Sequence, residues 1–322
     1  MPLYTLDTFR ALLSSTQMLK DAIEKDTDLI KAQDKEGMTL LHHAAMIQKF
    51  RNLEDRSELG EILAILFQAS GIDFSLQDSE GNTPVHVAAL VCEDEITCRY
   101  IFQQFVIKAA TLGFNFSTLN KKGHSVLHIA TQFSYTDSRK AYESRRINNV
   151  AIVLENALRR GLDVNVLSNS GSTAFYYAID CLHLVEANSL LDAGANPLLY
   201  RAEERDPFAK IKELIDRLTN AQNEKDKYTE EERNEINEEL VELKKLKQKI
   251  EERPDFKDYE EARKTQESAR ILAQGQKGYS GSIFQKPPNN PQASSKDKVP
   301  KITLNELGSS QPSASGQQLI KR

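Results

Sequence analysis

Residues 78–89 read DSEGNTPVHVAA: an acidic turn holding a glycine, then Thr-Pro-Val-His and a pair of alanines. The stretch recurs. DKEGMTLLHHAA starts at Asp34, NKKGHSVLHIAT at Asn120 and SNSGSTAFYYAI at Ser168. The turn glycines Gly37, Gly81, Gly123 and Gly171 lie 44, 42 and 48 residues apart. A second set, Gly71, Gly113, Gly161 and Gly194, closes each unit, with Asp73, Asn115, Asp163 or Asn196 two residues later. From a closing glycine to the next turn glycine the distance is always 10 residues. A fixed segment alternates with a variable one, the mark of a repeat architecture.

Elementary stereochemistry gives each unit a shape. A glycine tolerates the positive φ of a tight turn, and the turn leads into a short helix with small residues at Ala44, Ala88, Ala130 and Ala178. A second helix follows, apolar at helical spacing in Ile62, Leu63, Leu66 and Phe67. The closing glycine stops it as a left-handed cap. One such unit cannot bury its apolar face alone, so units must stack. ALLSSTQMLKDAIEKDTDLIKAQD, from Ala11, reads as the outer half of a capping unit.

The signature tetrads are Thr39-Leu40-Leu41-His42, Thr83-Pro84-Val85-His86, Ser125-Val126-Leu127-His128 and, degraded, Thr173-Ala174-Phe175-Tyr176. They resemble the ankyrin repeat, a unit of about 33 residues with a T-P-L-H-x-A signature. The resemblance covers roughly residues 5–200. It implies an all-α fold: an ankyrin-repeat solenoid of about four repeats plus an N-terminal capping unit. It also implies that His42, His86 and His128 hydrogen-bond the neighbouring turn, a structural role. Ankyrin stacks grip other proteins with finger tips and the exposed side of the inner helices. Carried onto this sequence, the protein-binding residues are Lys35 and Met38, Glu80 and Asn82, Lys121, Lys122 and His124, and Asn169 at the tips. Met46, Leu90, Phe133 and Asp180 follow on the inner helices.

Unit length departs from that family. A 33-residue unit less the fixed segment leaves about 23 residues between turn and closing glycine. The fourth unit has 23, and the first three have 34, 32 and 38. The excess falls between inner and outer helix, so extended helices or ordered loops are expected there, making a second surface. In the third insert Arg139, Lys140, Arg145 and Arg146 stand among Tyr135 and Tyr142. That cluster reads as a partner-facing patch or as a solvated helix end.

Past Pro197 the composition changes. Asp206 and Pro207 open a helix with an apolar stripe of Phe208, Ile211, Leu214, Ile215 and Leu218. Thr229 and Glu232 form a capping box before a second stripe of Ile236, Leu240, Leu243 and Ile250. A third helix is expected from Asp255 to Gln274, with Phe256, Tyr259, Ala262, Ala269 and Leu272 aligned and Gly275 as its stop. Three single-striped helices suggest a small antiparallel bundle, or a hairpin packed on the last repeat. An intermolecular coiled coil through 229–252 is the alternative, giving a dimer in place of a monomer. The last 47 residues hold five of the ten prolines and are expected to be disordered. The division is then a capping unit at 1–32, repeats at 33–200, a helical domain at 201–275 and a tail at 276–322.

Composition narrows the function classes. A net charge of -5 gives no footprint for nucleic acid. Three cysteines in 322 residues fit a reducing, cytoplasmic compartment. No apolar run approaches the ~20 residues of a membrane span, and the N-terminus, with Asp7 and no basic start, does not read as a secretory signal. No zinc-protease, thiol-redox, nucleophile-elbow or P-loop motif occurs. The Asp180, Cys181 and His183 group sits at spacings that do not face one another on a helix. The expectation is a non-enzymatic protein-interaction scaffold with a partner protein, no cofactor and no metal. An enzyme or enzyme modulator housed in 201–275 is the alternative. The insert-bearing units are similar to the ankyrin effectors that intracellular bacteria deliver by type IV secretion. The polar tail, with Leu319 and Ile320 near its end, is similar to their C-terminal signals. That resemblance implies the host cytoplasm as the place of action.

Overall fold

The computed structural model describes residues 5–47, 56–91, 96–132, 149–201, 205–224 and 227–277. The third insert, Phe133 and the tail beyond residue 277 lie outside the described residues. Among the described residues the regular structure is helical, with one isolated bridge between Gln33 and Thr39. Two compact units divide the chain, Met1–Gln266 and Glu267–Arg322.

Two N-terminal helices, α1 (Leu6–Leu12) and α2 (Thr16–Lys25), come before the first turn. Four inner–outer pairs follow: α3 (Leu40–Ala45) with α4 (Arg56–Gln68), α5 (Pro84–Leu90) with α6 (Ile96–Thr111), α7 (Val126–Gln132) with α8 (Asn149–Ala157), and α9 (Ala174–Asp180) with α10 (Leu184–Asp192). Inner helices pack on inner helices of the next unit, and α6 packs on α8 and α8 on α10. Part of the extra length is helical, as expected: α6 has 16 residues against 9 in α10.

Every turn glycine and every closing glycine has a positive φ, from 71° at Gly123 to 91° at Gly194. Gly81 shows why no other residue serves at a tip: a Cβ there would stand 2.8 Å from the backbone nitrogen of Lys121. That close approach lets the fingers bond sideways. Ser79 N–H donates to Glu36 O at 2.7 Å, Lys121 N–H to Glu80 O at 3.0 Å, and Asn169 N–H to Lys122 O at 3.2 Å. The constant segment after each closing glycine is held by Asx turns. Asp73, Asn115, Asp163 and Asn196 each accept from the N–H two residues on, at 2.8 to 3.0 Å.

The signature histidines close both ends of the inner helix start. Thr83 N–H donates to His86 Nδ1 at 3.2 Å and His86 N–H to Thr83 Oγ1 at 3.4 Å, a capping box with imidazole in the place of glutamate. Thr39 N–H and Ser125 N–H donate in the same way to His42 and His128. A backbone N–H can only donate, so Nδ1 is bare and Nε2 carries the hydrogen. That hydrogen is given to the next turn: His42 to Asn82 O, His86 to His124 O and His128 to Ser172 O, at 3.0 to 3.2 Å. Burial pushes all three rings down to about 4. They stay neutral at neutral pH.

Both ends of the stack are covered. Phe9 of α1 is buried against the His43 ring, 5.2 Å between centroids. At the other end α11 (Pro207–Asn223) and α12 (Glu230–Glu251) form a hairpin packed on α9 and α10. Of the two expected arrangements the structure takes the hairpin on the last repeat. Phe208, Ile211, Leu214 and Leu218 meet Leu240, Leu243, Leu246 and Ile250, all buried in the same core as the repeats. The α12 stripe is thus spent inside the chain, with Leu246 added to the expected set. The caps form as read: Asp206 accepts from Phe208 and Ala209 N–H, and Thr229 exchanges bonds with Glu232.

The third helix differs from its expectation. The last helix, α13 (Phe256–Lys277), runs through Gly275 instead of stopping there. A glycine costs a helix only about 1 kcal/mol, which does not end one unless the chain also turns left-handed. Phe256 is buried on Phe208 at 4.8 Å and Tyr259 is half-buried, yet Ala262 is exposed; the side chains of Ala269 and Leu272 lie outside the described residues. Among the described residues no helix is long and apolar enough to cross a membrane.

Candidate protein-binding surface

The sequence-derived residues separate into four groups in space. Glu80, Asn82, Leu90, Lys122 and His124 come together around one cavity of about 150 Å³ between the second and third fingers, completed by Asn120, Ile129 and Gln132. Lys121 and Asn169 flank it, Asn169 Nδ2 donating to Lys121 O at 2.8 Å. Lys35, Met38 and Met46 belong to the first repeat and do not line the cavity. Asp180, exposed at the end of α9, does not line the cavity and is paired with Lys210 of α11 at 3.1 Å. Phe133 lies outside the described residues.

Local chemistry builds the cavity from two neighbouring repeats. At each finger base an Asp or Asn folds the tip over itself, Asp78 Oδ1 accepting from Glu80 and Asn82 N–H and Asn120 Oδ1 from Lys122 and His124 N–H. The tips Glu80, Lys121 and Lys122 are thereby turned outward and exposed. Asn82 is the exception among the tips. It is only 8% exposed, donating to Asp78 and accepting from Asn120 Nδ2 at 2.9 Å, so it is a strut and not a free tip. Leu90 ends α5 half-buried, and Ile129 lies beneath it in the core. Inner-helix ends thus divide: Met46 and Leu90 stay partly open, while Ile47 and Val91 turn under into the fold.

His124 occupies the wall toward the fourth repeat. Its ring stacks on His128 at 5.8 Å and 13°, and its Nε2 lies 3.2 Å from Tyr177 Oη. Tyr177 Oη in turn approaches Ser170 Oγ at 3.2 Å. Burial, and then Lys122, hold His124 below the usual histidine range. The charges at the mouth are therefore Lys121 and Lys122 against Glu80. Among the described residues neither ammonium has a carboxylate partner. Asn120 and Tyr177 carry no signal in the sequence for their place at this site. Asn120 stands at the finger base, and only the stacking distance brings its amide to Asn82.

The helical appendage offers a second polar cluster. Tyr259 Oη donates to Asp206 Oδ2 at 2.5 Å, and Arg263 reaches Tyr259 at 3.1 Å and Asp206 at 3.2 Å. Burial, then the bond to Asp206, drive the Tyr259 phenol well above its ordinary value. The three groups are spent on one another, tying α13 to the start of α11. Among the described residues no group of three or more His, Cys, Asp and Glu is placed to hold a metal ion.

No protein-family model matches the chain. Over 134 residues it is 31% identical to a "Probable serine/threonine-protein kinase" of Dictyostelium discoideum, which covers 41% of this chain and 13% of that protein. The match thus spans about an eighth of that relative's length. A solved structure titled as an ankyrin repeat protein superposes with a TM-score of 0.49 and 18% identity, over 74% of this chain and 98% of its own. Laterally bonded fingers, paired helices and histidines capping the next turn give this chain the ankyrin-repeat fold.

Proposed function

We propose that the chain is a protein-interaction scaffold that holds a partner protein on the concave side of its first three repeats. One observation carries this reading. Five of the residues expected at the binding surface converge on a single cavity built by two adjacent repeats. The fourth repeat contributes less, because its inner helix is engaged near both ends: Arg205, just before α11, stands over the Tyr176 ring at 5.5 Å, and Lys210 of α11 pairs with Asp180. The appended helices then serve as the terminal cap that a stack requires. The satisfied Asp206–Tyr259–Arg263 knot supports that structural role over an enzymatic one. Burial of the α12 stripe within one chain supports a monomer.

The test uses the full chain. Leu90→Asp and Lys122→Glu, each with an unchanged melt, are expected to lose the protein captured by the wild type from lysate by at least about tenfold, as for a central interface residue. Capture that persists at wild-type level with both variants would sink the reading.

The place of action follows from the resemblance of units and tail to type IV-secreted effectors, and we propose the host-cell cytoplasm. Deleting Leu319 to Arg322 is expected to abolish translocation of a reporter fusion. Undiminished translocation would remove the secretion reading without touching the scaffold.

A further inference from the structure

We propose that the cavity between the second and third fingers receives one aromatic side chain from an extended partner segment, whose neighbouring residue is a carboxylate held by Lys121 and Lys122. The proposal rests on the concave-face reading above and names the chemistry that reading leaves open.

Size comes first. A cavity of about 150 Å³ has the volume of one that accommodates a benzene ring. It is too small for a helix or a folded loop and large enough for one side chain. Its walls favour a ring. Leu90 and Ile129 supply apolar contact, and His124 adds an aromatic surface already stacked on His128. Ring pairs gain from offset or edge contact beyond the area they bury. The polar groups around the mouth are mostly engaged: the Asn82 and Asn120 amides bond one another, and His124 Nε2 faces Tyr177 Oη. The Gln132 amide also lines the cavity, and its chemistry suits a bond with a phenolic tip.

Charge then selects the flank. Lys121 and Lys122 are exposed and without a carboxylate partner among the described residues; of the described carboxylates, Glu80 lines the cavity, and Asp78 behind it is engaged by Glu80 N–H, Asn82 N–H and the Asn82 amide. The mouth therefore presents two ammonium groups to an incoming carboxylate. A buried arginine anchor would meet Glu80 but also two ammonium groups. An extended chain advances about 3.3 Å per residue, so a carboxylate one or two positions from the ring falls within the reach of a lysine. Lysine stems are long enough to follow small differences in backbone path.

The experiment pans random displayed peptides against the full chain and against Leu90→Asp and the double variant Lys121→Glu, Lys122→Glu. The double variant changes only exposed side chains, so it remains informative if Leu90→Asp fails to fold. Enriched peptides are expected to share Tyr or Phe with Asp or Glu within two positions. Replacing the ring by Ala should weaken a synthetic peptide at least about tenfold. The double variant should weaken it by about the same factor at low salt and by less at high salt. Peptides anchored by an aliphatic residue or by arginine would overturn the proposal. So would binding indifferent to both variants, or no enriched peptide. Peptides of another type that still lose affinity on Met46→Asp would overturn the aromatic anchor while leaving the scaffold reading in place.

Discussion

Acidifying the full chain from about pH 7 to about pH 5 is expected to remove on the order of 5 kcal/mol of stability through His42, His86 and His128. In an unfolded chain each imidazole titrates near 6.5, and in the fold near 4. Below about 6.5 the unfolded chain takes up protons that the folded chain refuses, so falling pH favours unfolding. The loss begins near 6.5, grows by about 1.4 kcal/mol per pH unit for each ring, and levels off near 4. Above 6.5 nothing is lost. Burial lowers His43 and His124 as well, in the same direction. Domain stabilities are about 5–15 kcal/mol, so the effect is a large part of the whole. Urea titrations at steps through this window measure the slope. His86→Gln should lower it by about one proton. A flat profile between these limits, or equal slopes in the two proteins, would show that the rings titrate normally.

Phe208→Ala is expected to cost about 3–5 kcal/mol, the usual range for a buried aromatic. Phe208 is fully buried, with Phe256 at 4.8 Å and Tyr259 at 5.9 Å, at the start of the helix that packs on the fourth repeat. Its hairpin shares one core with the repeats. The melt should therefore remain a single transition, moved to lower temperature. Val241→Ala on the exposed side of α12 is the control and should change little. Two transitions, with only the lower one moved, would mean that residues 207–251 fold as a separate domain. The same contacts predict that a fragment ending at Tyr200 is unstable. Binding is then better dissected by point variants in the full chain than by truncation.

Much of this was legible because ankyrin chemistry is local. The turn glycines, the Asx residues two positions after each closing glycine, and the helix starts at Asp206–Pro207 and Thr229 act within four residues of themselves. A single sequence displays such spacings directly. The histidines were readable for a related reason: each bonds the turn of the next unit, and that turn is itself a repeated motif.

What the sequence hid depends on distances between units. Nothing in the spacing says that Asn82 reaches Asn120, or that Tyr177 continues the line from His124 toward Ser170. Nor does it say that Lys210 pairs with Asp180, which stays exposed but engaged. The inner-helix ends show the same limit. Met46 and Ile47 are chain neighbours of equal apolarity, yet the backbone turn after α3 leaves one half-open and sends the other into the core. The run of α13 through Gly275 is a milder case: a glycine's modest propensity cost does not by itself stop a helix.

The central claim is that the partner sits on the concave face between the second and third fingers. A photo-crosslinking residue placed in turn at Glu80, Gln132 and Val241 of the full chain tests it most directly. Adducts with one and the same partner from positions 80 and 132, and none from 241, are the predicted result. Adducts from 241 with none at 80 or 132 would contradict it and move the binding surface to the C-terminal hairpin.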